Sequence, residues 1–179
     1  MPDTVQAPPT HDDFRLAALD LIQRSATLTL ATMDPTGPWS APVYYVWFKE
    51  WFCFFSAPES RHIRQALNTG KAAATVFDAS EDWKGIRGLQ MEGRVTAICA
   101  PLVSLEVICR YLDRYPFVRS FFSGISKPDA AAFLSCFRAR LYGFVPEAAV
   151  YTDNRFGFGV RRSVNLRIER EWEGMEDDG

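Results

Sequence analysis

Signatures of metal binding, thiol redox chemistry and nucleic-acid binding are missing from this sequence of 179 residues. It contains two histidines, His11 and His62, whose separation fits no metal-ligand spacing. None of its four cysteines belongs to a CxxC pair, so we expect reduced, mostly buried thiols in a cytoplasmic protein. A formal net charge of −2 gives no indication of the basic face that a nucleic-acid partner requires.

Long apolar runs are also missing, because no stretch approaches the ~20 residues that a membrane-spanning helix requires. The first nine residues are polar and rich in proline, unlike a secretory signal. What the sequence does contain is 47% hydrophobic residues, enough to build a substantial core. We therefore predict a flexible tail over residues 1–9, a single domain over 10–168 and an acidic tail over 169–179.

Apolar periodicity predicts a chain in which strands outnumber helices. Helices are expected over 11–24, 61–68, 101–114 and 128–133, and strands over 26–33, 39–48, 51–55, 72–77, 85–98, 134–145, 148–152 and 164–168. Glycines inside the strand 85–98, at Gly88 and Gly93, indicate bulges or close backbone approach. Short connections favour antiparallel neighbours, so the pattern predicts a mainly β, α+β fold: a closed antiparallel β-barrel with capping helices.

Candidate chemistry lies at the turn between the strand 51–55 and the helix 61–68. Ser56 ends the strand, while Ser60, Arg61 and His62 open the helix, with Ser60 as its expected N-cap. Hydroxyls, a guanidinium, an imidazole and the unpaired N–H groups of a helix start are the donors that hold a phosphate. The alternative is an ordinary capped helix on the surface whose first turn happens to be polar.

The order of elements and motifs resembles the FMN-binding split-barrel superfamily, whose best-known member is pyridoxamine 5′-phosphate oxidase. The resemblance covers roughly residues 25–152 and rests on the Gly-Pro turn, the Ala-Pro-Val-Tyr-Tyr-Val strand, the Ser-Arg-His helix start and the following Ala-Ala-Ala-Thr-Val strand. The stretch 86–93 and the pairing of Thr-Asp-Asn at 152–154 with Gly-Phe-Gly at 157–159 resemble the uncharacterised YhbP-like branch. The resemblance implies a split β-barrel of about six strands.

The resemblance also implies a cofactor site at the interface of a homodimer. The cofactor expected from it is FMN, with haem and a deazaflavin as alternatives. The positions that match the cofactor-binding residues of the superfamily are Pro42, Val43 and Tyr44 along the isoalloxazine edge, Phe55 and Ser56 beside the ribityl-phosphate, Ser60, Arg61 and His62 at the phosphate, and Gln90 reaching the flavin of the partner subunit. His62 stands where many members have lysine.

The residues themselves allow a second interpretation of the aromatic group and of Gln90. The dense aromatic residues Tyr44, Tyr45, Trp47, Phe54 and Phe55 also fit a barrel core and a dimer seam, and Gln90 with Glu92 also fits a solvent-facing strand. The function expected is an FMN-dependent oxidoreductase acting on an unidentified small molecule. The alternatives are a non-catalytic dimer that stores or senses a flavin or haem, and a scaffold without a cofactor. No catalytic acid or base stands out.

Overall fold

A computed structural model describes residues 10–118 and 139–167. Within these residues the chain forms three helices, α1 (His11–Arg24), α2 (Arg61–Thr69) and α3 (Pro101–Arg114). The strands of the same residues are β1 (Thr27–Asp34), β2 (Gly37–Tyr44), β3 (Val46–Phe48), β4 (Trp51–Ser56), β5 (Ala72–Phe77), β6 (Arg87–Ala97), β7 (Arg140–Asp153) and β8 (Arg161–Ser163). The predicted tails, 1–9 and 169–179, and the predicted helix 128–133 lie outside the described residues.

All of these strands belong to one antiparallel sheet with the order β2-β1-β5-β6-β7-β4-β3, and β8 pairs with β7. The two ends of this order, β2 and β3, are consecutive in the chain and are separated by Tyr45 alone. The run 37–48 therefore pairs with β1 at its start and with β4 at its end, which curls the sheet into a barrel. Counting that run once and leaving out the short β8, the barrel has six strands, and the predicted α+β split barrel is confirmed.

The alternation of buried and exposed residues along the strands defines the barrel interior. Its large, fully buried side chains include Tyr45, Phe52, Phe54, Tyr142, Phe144 and Tyr151. Helix α1 adds Phe14, Ala18, Leu21 and Ile22 to this core. A capping box, in which Thr10 and Asp13 bond each other's backbone N–H, starts α1 at the predicted residue.

The outer surface of the barrel differs between its two halves. We call the outer side of β3, β4 and the start of β7 the covered face, because Val46, Cys53 and Leu141 pack there against Val107 and Ile108 of α3. We call the outer side of β2, β1, β5 and β6 the open face. Its outward residues are exposed or half-buried and are Pro38, Ser40, Pro42 and Tyr44 on β2, Thr27, Thr29, Ala31 and Met33 on β1, Ala73, Thr75 and Phe77 on β5, and Gln90, Glu92 and Arg94 on β6.

The long pair of β6 and β7 contains the predicted bulge. The register shifts between Glu92 and Gly93, so that Glu147 is an extra residue on β7. A Cβ on Gly93 would lie 2.1 Å from the Val145 carbonyl oxygen, which explains why glycine occupies this position. Pro146 lies at the bulge, where a missing N–H is tolerated. The predicted strand 148–152 and the described part of the predicted strand 134–145 therefore form one strand, β7, while 134–138 lie outside the described residues.

Other predictions differ from the structure in detail. The prediction of a strand over 164–168 is wrong within the described residues. The strand that pairs with β7 is β8, which begins three residues earlier in the chain, at Arg161. The expectation of mostly buried thiols is also wrong among the described cysteines, because Cys99 and Cys109 are exposed and only Cys53 is buried. Burial raises the pKa of the Cys53 thiol to about 12, so this thiol is held in its neutral form.

Candidate functional site

Three side chains of the predicted phosphate site meet where β4 ends and α2 begins. The Ser56 hydroxyl lies 2.8 Å from His62 Nε2 and 3.1 Å from the Ser60 hydroxyl. The Ser60 hydroxyl also donates to the Ala57 carbonyl at 2.8 Å. All three residues are half-buried, so their polar atoms are partly withdrawn from water while still accessible. We call Ser56, Ser60 and His62 the donor cluster.

The start of α2 has no side-chain cap. Ser60 occupies the N-cap position, but its hydroxyl makes no capping bond to the helix because it faces Ala57 and the other members of the donor cluster. The predicted capping role of Ser60 is therefore wrong. The first backbone bond runs from the Arg64 N–H to the Ser60 carbonyl. The preceding N–H groups, at residues 61–63, precede any intrahelical bond and carry the partial positive charge of the helix start.

Arg61 is directed away from the donor cluster, toward the turn between β1 and β2. One terminal nitrogen donates to the carbonyls of Thr36 and Gly37, each at 3.2 Å, and the guanidinium stacks on Trp39 with 4.8 Å to the ring centroid. Its Nε is buried without a hydrogen-bond partner among the described residues. The structure thus brings the hydroxyls and the imidazole together and leaves one donor of Arg61 unused at the same helix start.

Gln65 holds this helix start against the β1–β2 turn. Its amide nitrogen donates to the Asp34 carboxylate and to the Gly37 carbonyl, both at 2.9 Å, and its oxygen accepts from the buried Thr32 hydroxyl at 2.7 Å. Neither Gln65 nor Trp39 was among the predicted site residues. Nothing in the sequence distinguishes Gln65 from its exposed neighbour Arg64, because the contacts depend on where the turn lies in space.

Two shifted pKa values describe the electrostatics of this region. Burial lowers the pKa of the His62 imidazole below its usual value, so the ring is predominantly neutral at pH 7. The hydrogen bond from the Thr36 hydroxyl lowers the pKa of the Asp34 carboxyl, with smaller contributions from Gln65 and Arg61. Asp34 is therefore an ionised partner for the turn, whereas the donor cluster is uncharged in the absence of an anion.

The predicted isoalloxazine edge, Pro42–Tyr44, lies on the outermost strand of the sheet order. Because Pro42 has no N–H, its pair with Thr29 makes no ladder bonds, and Val43 instead uses its backbone groups to bond Leu28. The Pro42 carbonyl and the Tyr44 N–H therefore point to the other edge of β2, which pairs with no strand in the described part of the chain. The side chains of Pro42 and Tyr44 are exposed, while that of Val43 is in the core.

The predicted aromatic residues near this edge lie in three kinds of surroundings. Tyr45 and Phe54 are fully buried in the barrel, and the partly buried Trp47 packs against the same core. Phe55 lies on the covered face, with its ring centroid 5.0 Å from that of Tyr111 on α3. Tyr44 is 45% exposed and packs edge-on against Tyr115 at 5.1 Å. Of the predicted aromatic group, Tyr44 is therefore the member placed to meet a bound molecule.

Gln90 lies on the open face, on β6. The register places it in one row with Thr75, Thr29 and Pro42. Three strand spacings separate Gln90 from Pro42 on β2, which corresponds to about 14 Å. Its amide lies 3.5 Å from the Thr152 hydroxyl. A groove of about 930 Å³ lies over the neighbouring part of this face, lined by Ala31, Met33, Trp39, Ala73 and Glu92 among others.

The segment after β7 forms a hydrogen-bonded corner. Asn154 donates to the Trp83 carbonyl at 2.8 Å and accepts from the Gly159 N–H at 3.0 Å. Asp153 accepts from the guanidinium of Arg155 at 2.6 Å and is fully buried. The Thr-Asp-Asn and Gly-Phe-Gly motifs thus have a structural explanation, since the first holds the second in place.

Metal ligation and a membrane-spanning helix have no counterpart in the described residues. Within residues 10–118 and 139–167, no three His, Cys, Asp or Glu side chains lie together as metal ligands would. No helix of this part of the chain is long and apolar enough to cross a membrane.

The barrel closed through the shared run 37–48, with a helix start and its donor cluster at one end, defines a split-barrel protein. Residues 15–129 match the family described as pyridoxamine 5′-phosphate oxidase. This match covers more than half of the chain, which therefore belongs to that family. None of the curated proteins matches the chain by sequence. Assignment to the YhbP-like branch stays a prediction.

Solved structures show the same fold at low sequence identity. A conserved hypothetical protein from Mycobacterium tuberculosis has a TM-score of 0.63 and 17% identity, covering 79% of this chain and 85% of that one. The haem storage protein HutZ from Vibrio cholerae has a TM-score of 0.57 and 16% identity, covering 75% and 90%. An FAD-binding protein from Mesorhizobium loti has a TM-score of 0.50 and 14% identity, covering 75% and 90%.

Proposed function

We propose that this chain is a flavoprotein that binds FMN at the interface of a homodimer and acts as an oxidoreductase on a small molecule. The observation that carries the proposal is the donor cluster over an uncapped helix start. A helix that begins without a side-chain cap leaves its first N–H groups for another acceptor, and an anion is the acceptor that they favour.

The residues at the start of α2 fit a phosphate monoester. The N–H groups at 61–63, the hydroxyls of Ser56 and Ser60 and the His62 ring supply neutral donors within one turn of helix. Arg61 adds a permanent positive charge at the same helix start, while its guanidinium bonds the β1–β2 turn.

The free edge of β2 fits the polar edge of a flavin ring. The Tyr44 N–H is a donor and the Pro42 carbonyl an acceptor, and both point away from β1. FMN supplies electron-transfer chemistry when it is bound, and the contribution of the chain is to bind, orient and shield it. We assign no general acid or base, because none of the described titratable residues adjoins this edge in a catalytic arrangement.

The open face fits the seam of a homodimer. It combines small and apolar residues with few charges, and in this part of the chain no helix covers it, whereas α3 covers the opposite side. Gln90 lies about 14 Å from Pro42 on the same sheet, which is too far for contact with a flavin edge held there by its own chain. A second copy lying on the open face would bring its own Gln90 toward that edge.

Comparison with known proteins supports the cofactor class without fixing it. The chain belongs to the pyridoxamine 5′-phosphate oxidase family, and one solved structure of the same fold is an FAD-binding protein. A cytoplasmic location, expected from the absence of a disulfide pattern, is part of the proposal.

The test is the visible absorption spectrum of the purified protein, recorded before and after addition of FMN and removal of unbound ligand. We expect a flavin spectrum at about one FMN per subunit. We also expect a loss of affinity of about tenfold or more in Arg61→Ala, because the change removes a positive charge from the helix start, where charge pairs contribute on the order of a few kcal/mol. Arg64→Ala, three residues later on the same helix and exposed, is the matched control. Unchanged affinity in Arg61→Ala would reject the phosphate assignment.

A haem-binding dimer without turnover is the second candidate. Solved structures of this fold include a haem storage protein and a haem-binding protein from Mycobacterium smegmatis. Among the described residues His62 is the imidazole near the site, and a haem ligand role would require its Nε2 to leave the Ser56 hydroxyl. A Soret band on haem titration that disappears in His62→Ala, together with no retained FMN, would favour this candidate.

A further inference from the structure

The donor cluster contains one group whose charge can change near neutral pH. The hydroxyls of Ser56 and Ser60 and the N–H groups of the helix start are neutral donors at every physiological pH. His62 is different because its ring gains a proton in this range. Its Nε2 lies 2.8 Å from the Ser56 hydroxyl and 3.4 Å from the Ser60 hydroxyl, so it shares the space in which a phosphate would lie.

The surroundings of His62 leave this charge uncompensated. The groups that face the ring, Ser56 from β4 and Ser60 from the turn, are hydroxyls. The ionisable residues closest to His62 along the chain are Glu59 and Arg61. Arg140 on β7 pairs with Ser56 at the end of β4. Arg61 bonds the β1–β2 turn, and burial alone accounts for the lowered pKa of His62 among the described residues. Within residues 10–118 and 139–167, no carboxylate therefore holds the ring in its charged form before an anion binds.

We propose that His62 makes recognition of the flavin phosphate proton-linked, so that the chain distinguishes FMN from unphosphorylated flavin strongly at mildly acid pH and weakly at alkaline pH. This inference rests on the proposed FMN site. A phosphate dianion stabilises the protonated imidazole through a charge-assisted hydrogen bond, and binding then takes up one proton.

Linkage sets the size of the effect. Where the ring is neutral in the free protein and charged in the complex, affinity falls about tenfold for each unit of pH. The phosphate itself gains a proton below about pH 6, which limits the increase on the acid side. We therefore expect the dissociation constant for FMN to rise about tenfold or more between about pH 6.5 and about pH 8.5.

The experiment is a set of dissociation constants for FMN and riboflavin, measured by equilibrium dialysis across this pH range with the full chain. Riboflavin lacks the phosphate, so its affinity should not change with His62 protonation. His62→Lys should bind FMN with little dependence on pH, because lysine keeps its charge throughout the range. His62→Gln, which keeps a donor toward Ser56, should bind FMN weakly and without pH dependence. His11→Lys changes the other histidine, on the exposed start of α1, and should keep the wild-type slope.

The outcomes separate this inference from the function on which it rests. FMN binding whose affinity is independent of pH, or a slope that persists in His62→Gln, would overturn the proton linkage and leave the flavoprotein standing. A slope shared equally by riboflavin would also overturn it, since the titrating group would then act on the ring system. Failure of FMN to bind at any pH, in the wild type and in His62→Lys alike, would overturn the proposed function and this inference together.

Discussion

The covered and open faces belong to the same sheet, follow the same alternation of side chains and yet present opposite surfaces. On the covered face, Val46, Cys53 and Leu141 are buried beneath the α3 residues Val107 and Ile108. On the open face, the equivalent outward positions lie in contact with solvent, and they include the small Ala31 and Ala73 as well as the bulky Met33 and Phe77. An outward apolar side chain is thus buried where α3 covers the sheet and exposed on the open face.

The candidate site lies at the junction of these two faces. The run 37–48 belongs to the open face through β2 and to the covered face through β3, and its free edge at Pro42 and Tyr44 is exposed between them. In the proposed dimer, a cofactor at this junction would contact the covered face of one chain and the second copy that lies on its open face. The comparison therefore predicts that stability and assembly can be changed separately.

The largest expected effect is loss of stability when the covered face is truncated. Ile108 is 4% exposed, so Ile108→Ala should reduce the free energy of unfolding by about 2–5 kcal/mol through lost burial and a cavity. Met33 on the open face is 66% exposed in the single chain, and Met33→Ala should change the free energy of unfolding of the monomer by no more than about 0.5 kcal/mol. Urea unfolding of the two variants, at a protein concentration low enough to keep the chain monomeric, measures the difference. Equal losses would contradict the distinction between the faces in the isolated chain.

The second effect concerns assembly. In the proposed dimer a charge placed in the middle of the open face has no partner, so Ala31→Arg should weaken association by about 3 kcal/mol or more. Leu102 on α3 is 83% exposed, and Leu102→Arg places the same charge on the other half without consequence for association. Sedimentation velocity should find Ala31→Arg monomeric and Leu102→Arg dimeric. A dimer that survives Ala31→Arg unchanged would place the interface elsewhere.

The third effect tests how α3 is held over the covered face. The Tyr115 hydroxyl lies 2.8 Å from the Ala26 carbonyl oxygen and 2.5 Å from the Tyr45 carbonyl oxygen, and its single proton is shared between them beside the junction of β2 and β3. Tyr115→Phe leaves these carbonyls without that donor and should cost about 1–2 kcal/mol in thermal unfolding. Tyr44→Phe, whose hydroxyl end lies on the exposed side, should cost less than about 0.5 kcal/mol.

The smallest expected effect is the pH dependence of folding stability that comes from Asp153, the last residue of β7. Burial raises the pKa of the Asp153 carboxyl, but the hydrogen bonds from Arg155 outweigh it, and the net shift is downward. A carboxyl whose pKa is lower in the folded chain adds stability above its unfolded pKa of about 3.9. That stability is lost as the pH falls through the folded value. Asp153→Asn should therefore lower stability at pH 7 by about 1 kcal/mol and flatten the acid dependence. An unchanged acid limb would contradict this assignment.

Much of the secondary structure could be predicted from the sequence because local signals mark it. Helix α1 begins and ends at the predicted residues, since Thr10 and Asp13 form a capping box and the apolar stripe is regular. Helix α2 ends at Gly70 in the left-handed conformation, with φ 68°, which glycine adopts at little cost. The bulge beside Gly93 was indicated by a glycine inside a strand.

The failures share a different cause, which is competition from partners distant in sequence. Ser60 has the residue type of an N-cap, but its hydroxyl is used by Ala57 and the donor cluster, and local propensity does not reveal this. Pro146 looked like a strand boundary, yet the bulge opposite Gly93 accommodates it within β7. Arg61 was grouped with its neighbours in sequence, whereas the β1–β2 turn directs its guanidinium elsewhere.

The sequence by itself determined the period of each element, the α+β class and the residue types that gather at the turn after β4, because these depend on spacing within a few residues. Only the tertiary structure decided which side of the barrel α3 covers, which edge of β2 remains free, and that Gln65 and Trp39 support the helix start. These depend on strand order and register, which place residues dozens of positions apart within hydrogen-bonding distance. They therefore could not be read from any local pattern.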